Sequence, residues 1–107
     1  MRSYYVDEKL GRALRYMTSA PGDARERLAE AYVEFHTLRQ EHFPNKKLWK
    51  EYEWVLKMLN CKKFSPDDRY IAYVGTIKAN TKSMKNKTAS KIIQRLQKIY
   101  DEVSRLD

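Results

Sequence analysis

Lys87, Lys91, Arg95 and Lys98 recur at intervals of four, four and three residues, the spacing that sets side chains along one ridge of an α-helix. A row of cations suits contact with a run of phosphates, whose oxygens accept from lysine and arginine without regard to base sequence. Lys78, Lys82 and Lys85 precede this ridge, and Asn80, Thr81, Ser83, Asn86, Thr88 and Ser90 offer small hydrogen-bonding groups around its start. Backbone amides at a helix N-terminus also favour an anion there. A solvated bundle helix can carry a lysine stripe with no ligand, and Asp101 and Glu102 sit close enough in sequence to pair with Lys98 or Arg105. Against that plain reading stands the charge pattern: from Arg69 through Tyr100 there are eight basic residues and no acidic one. Four to six phosphates neutralised on duplex DNA predict a slope of log affinity against log salt of roughly −4 to −5.

Trp54 and Met58 are four residues apart and lie away from the apolar stripe of their own helix. They need a second neighbour, either another helix of the bundle or the surface of a protein partner, where Trp and Met are enriched. Tyr5, Lys9, Arg12 and Tyr16 similarly share a face of the first helix. Aromatic and cationic groups so mixed can stack on bases, although tyrosines at a bundle edge are the more ordinary use of such a face.

Catalytic groups are sparse. His36 and His42 are six residues apart rather than at the four-residue spacing that puts two metal ligands on one helical face, and no H-E-x-x-H occurs. His42 projects to the core side of its helix, as a structural histidine would. Cys61 lies beside Lys62 and Lys63 with no base at hand. Asp67 and Asp68 follow Ser65-Pro66, a helix start in which carboxylates answer the helix dipole. No phosphate-cradling glycine loop is present. The expectation is a non-enzymatic chain without metal or cofactor.

The elements that position these residues read as helices throughout. Val6, Leu10, Ala13, Leu14 and Met17 predict a first helix over 4–18 with Ser3 as its cap, and Asp23 with Glu26 makes a capping box for a second. Its core stripe is Leu28, Ala31, Tyr32, Phe35 and Leu38, and Pro44 ends the run. Asn45 caps a third helix over 46–60 that turns Leu48, Trp49, Tyr52, Val55, Leu56 and Leu59 inward. A short fourth helix follows Ser65 to about Ala79, burying Tyr70, Ile71, Val74 and Ile77. The last, over 87–106, has a broad apolar face of Ala89, Ile92, Ile93, Leu96, Ile99, Tyr100, Val103 and Leu106. No segment alternates as a strand does. The fold expected is all-α, a compact four- to five-helix bundle without β-sheet, forming a single helical domain over 1–107.

The chain has 107 residues, 42% hydrophobic and 34% charged. That length buries roughly 60 to 70% of the unfolded surface, enough for one small core. A single cysteine excludes an internal disulfide and fits a reducing, cytoplasmic setting. No stretch approaches the roughly 18 apolar residues of a membrane span. The net charge of +8 falls wholly in the second part: residues 1–45 carry seven basic and seven acidic residues, residues 46–107 fifteen and seven. A helix-turn-helix reader of DNA is disfavoured, because the connection before the last helix is long for that motif and lysine dominates where arginine, asparagine or glutamine reads bases. The expectation is therefore a small binding module that contacts DNA or RNA through Lys78, Lys82, Lys85, Lys87, Lys91, Arg95 and Lys98. The alternative is a protein-protein adaptor, inhibitor or accessory factor that engages an acidic protein surface with help from Trp54 and Met58. Nothing in the pattern excludes self-association.

Overall fold

The computed structural model describes residues 3–59, 81 and 84–106. Among the described residues the elements are α1 (Ser3–Ser19), α2 (Ala24–Phe35), α3 (Lys46–Met58) and α4 (Asn86–Leu106), with a 3₁₀ turn at Gln40–His42 between α2 and α3. No strand occurs among the described residues. The helix expected after Ser65, with Cys61, Lys78 and Lys82, lies outside the described residues. Each apolar stripe faces one core, and the radius of gyration, 13.1 Å, is that of a closely packed chain, for which about 13 Å is typical near 100 residues.

α1 already includes Ser3, and its predicted stripe of Val6, Leu10, Ala13, Leu14 and Met17 is buried as a set. The chain then turns through Gly22, whose positive φ of 98° suits a residue without a Cβ. An added Cβ there would stand 2.9 Å from Glu26 Oε1. Asp23 starts α2: its Oδ1 accepts from the Glu26 N–H at 3.0 Å, while its own N–H donates to Glu26 Oε1 at 3.1 Å. α2 runs antiparallel to α1, since Tyr5 meets Thr37 at one end and Tyr16 donates to Glu30 nearer the other. That hydrogen bond to Glu30 holds the Tyr16 phenol above the usual tyrosine range.

α2 ends at Phe35, well before Pro44, where one local and one non-local side chain take its last carbonyls. His36 Nδ1 donates at 2.8 Å to the Val33 carbonyl, which a continuing helix would give to the Thr37 amide. The Phe35 carbonyl receives both the Leu38 N–H at 3.1 Å and the buried Tyr52 hydroxyl at 2.9 Å. Leu38 is still buried, from a turn rather than from the helix. His42 accordingly falls in the 3₁₀ turn, where its Nδ1 accepts from the Arg39 N–H at 2.9 Å and its ring lies 4.5 Å from that of Tyr5.

α3 starts at Asn45, whose Oδ1 accepts from the Leu48 N–H at 2.9 Å. α4 packs against α1, α2 and α3 and so organises the bundle. It is antiparallel to α1: Ser104 donates to Asp7 at 2.6 Å, and Tyr100 crosses Gly11, where a Cβ would stand 3.2 Å from the ring. Ala89, Ile92, Leu96, Ile99 and Val103 are buried, Ile93 and Tyr100 are half-buried, and Leu106 is exposed at the end of the helix.

The Asp23 carboxylate also joins two helix starts. Arg25 donates to its Oδ2 at 3.0 Å and reaches the Met84 carbonyl at 3.4 Å, and the Asn86 side chain adds a weaker hydrogen bond. The Glu26 amide first, and then Arg25, hold Asp23 below the ordinary carboxylate range. A depressed folded pKa means that the stabilisation is present above the unfolded pKa and is lost as pH falls through the folded one. Asp23→Asn keeps a capping oxygen but removes the titration. Thermal melts below about pH 4 are expected to fall less steeply with pH for the variant than for the parent, and parallel acid limbs would contradict this.

Candidate nucleic-acid interface

α4 presents its cations because its apolar residues hold the opposite side in the core. Lys87, Lys91 and Lys98 are exposed on the solvent side of the helix, with exposed Lys85 just before it. None of these four lysines has an ion-pair partner among the described residues. The acidic residues nearby are engaged elsewhere: Glu102 takes Arg105 at 2.6 Å, and Asp101 accepts from Gln97 at 3.0 Å. From Lys87 to Lys98 the helix rises about 16 Å. That length runs beside about five phosphates of one B-form strand.

Arg95 behaves differently from its neighbours on the ridge. It turns toward α3, where its Nη1 lies 3.5 Å from Glu51 Oε1 and its guanidinium carbon lies over the Trp54 ring, 4.3 Å from the centroid. Glu51 Oε1 is buried and has no hydrogen bond, so the ion pair is its compensation for lost hydration. The neighbour that Trp54 requires is thus supplied from α4. Met58, one turn further along α3, stays 36% exposed.

This contact merges two groups of residues that the sequence presents separately. Glu51 and Trp54 mark the side of α3 that faces α4, and Lys47 and Lys50 stand one turn before them. Lys46, Lys47 and Lys50 are exposed. Lys47 and Lys50 therefore add exposed cations to the side of α3 that meets Arg95. The cross-helix pairing carries no sequence signal of its own, although Glu51 being the one acid among α3 residues facing α4 is a trace of it.

One expectation around the ridge changes. Thr81 is buried, so it does not line an approach for phosphates, and Thr88 and Ser90 are half-buried. The exposed lysines are the groups this surface offers most openly to an anion.

Tyr5, Lys9, Arg12 and Tyr16 are used largely within the fold. Tyr5 bonds Thr37 at 2.8 Å with Lys9 Nζ over its ring at 5.4 Å, Arg12 pairs with Glu8 at 3.1 Å, and Tyr16 holds Glu30. No three His, Cys, Asp or Glu side chains converge on a metal position among the described residues, and no described helix is long and apolar enough to cross a membrane. No family model, curated protein or solved structure matches the chain.

Proposed function

We propose that this chain is a small helical module that binds nucleic acid through its phosphates, with weak selection for sequence. The observation that carries the reading is the run of Lys87, Lys91 and Lys98 on one side of α4 with Lys85 just before it, all exposed and unpaired among the described residues. Surface cations in a row that neutralise phosphates displace the counterions condensed on the nucleic acid. Lysine, a hydrated point charge on a flexible stem, fits phosphate contact better than base reading.

A salt titration tests this. With four lysines engaged on duplex DNA, log affinity against log salt is expected to have a slope of about −3.6, measured by anisotropy of a labelled oligonucleotide. Absence of binding near 50 mM salt, or a slope close to zero, would reject the proposal. The exposure of Met58, one turn beyond Trp54 on α3, supports a second reading, an adaptor for an acidic protein surface. A stoichiometric protein complex that survives nuclease and weakens with Trp54→Ala would favour that reading instead.

A further inference from the structure

The Arg95–Trp54 contact bears on which nucleic acid the lysine surface takes. Arg95 lies over the Trp54 ring at 4.3 Å, is oriented by Glu51 at 3.5 Å, and its side chain is still 35% exposed. A guanidinium is flat and always charged, and nucleobases stack on it as they do on aromatic rings. Lys91 comes one turn before Arg95 and Lys98 one turn after, both exposed, at rises of about 6 and 4.5 Å. Stacking surface with phosphate-binding cations on either side is the arrangement that single strands use. Bases within a duplex are already stacked on their neighbours and cannot reach such a platform without unstacking. A duplex would engage the lysines and leave the Trp54–Arg95 pair idle.

Resting on the phosphate-binding reading, we infer that the preferred ligand is a single-stranded polynucleotide, one base of which stacks on Arg95 backed by Trp54 while Lys91 and Lys98 hold the adjoining phosphates. Glu51 is a positioning residue that keeps the guanidinium over the indole.

The test compares four labelled or competing probes at about 50 mM salt: a 15-nucleotide oligo-dT, the matching oligo-rU, a 15-base-pair duplex and inorganic polyphosphate. Both single strands are expected to bind more tightly than the duplex, and their order tells DNA from RNA. Arg95→Lys keeps the charge and the helix propensity but removes the flat stacking group. It is expected to weaken single-strand binding roughly 5- to 150-fold, the range for one stacked base, while duplex and polyphosphate binding change by less than about two-fold, as a retained charge implies. Trp54→Phe, which keeps a smaller ring behind Arg95, is expected to give a lesser loss in the same direction. Equal weakening of all four probes, or duplex binding as tight as single-strand binding in the parent, overturns the inference and leaves phosphate binding standing. Failure of every probe, polyphosphate included, overturns both.

Discussion

Replacing Lys87, Lys91 and Lys98 together with glutamine is expected to weaken duplex binding about 500-fold near 0.1 M salt. The figure follows from counterion release: each lost phosphate contact removes about 0.9 from the salt slope, and three such contacts are worth about 2.7 decades between 0.1 M and 1 M. For a single strand, with about 0.7 per contact, the loss is about 100-fold. The slope itself is expected to flatten from about −3.6 to about −0.9 on duplex DNA. Lysine and glutamine have nearly equal helix propensity, and the three side chains are exposed without ion pairs among the described residues. Circular dichroism and the melting temperature are therefore expected to stay those of the parent. Retained affinity in a folded triple variant would remove α4 from the interface.

Tyr52→Ala is the substitution expected to cost the fold most. The side chain is fully buried, its ring lies 6.2 Å from that of Phe35 and 5.1 Å from that of Phe43, and its hydroxyl donates to the Phe35 carbonyl. Truncating a buried aromatic costs about 3–5 kcal/mol, against a total stability of about 5–15 kcal/mol for a domain. The variant should be largely unfolded at modest urea, or at 25 °C if the parent sits low in that range. Tyr52→Phe separates ring from hydroxyl. The Phe35 carbonyl keeps the Leu38 amide, so the expected loss is about 1 kcal/mol, or about 4–8 °C in melting temperature. Equal destabilisation by the two changes would mean that the hydroxyl, and not the packed ring, ties α3 to the end of α2.

What the sequence made legible was local. The stripe from Val6 to Met17, the Asp23–Glu26 box, the Asn45 cap and the inner face of α4 all appear where periodicity and capping chemistry put them. Such patterns depend only on residues within a turn or two of one another. The points that differ depend on partners distant in the chain. At the end of α2 the Phe35 carbonyl is taken by the hydroxyl of Tyr52, seventeen residues away. Arg95 reads as one more cation of the ridge until the docking of α4 on α3 sets it against Glu51 and Trp54. A helical wheel shows which side a residue is on, but not which residue of another helix lies across from it.

The hydrogen bond between Ser104 and Asp7 joins residues 97 apart, whereas Tyr16 and Glu30, which link α1 to α2, are 14 apart. Closing the longer loop costs about 1.7 kcal/mol more in chain entropy, and contacts of long sequence separation slow folding. The α1–α2 hairpin is thus expected to form before α4 is seated. Until that step Ile92, Leu96 and Ile99 have no core to enter, and Lys87, Lys91 and Lys98 share no fixed orientation. Among the described helices, the charged surface of α4 is therefore expected to take its final form after the α1–α2 hairpin.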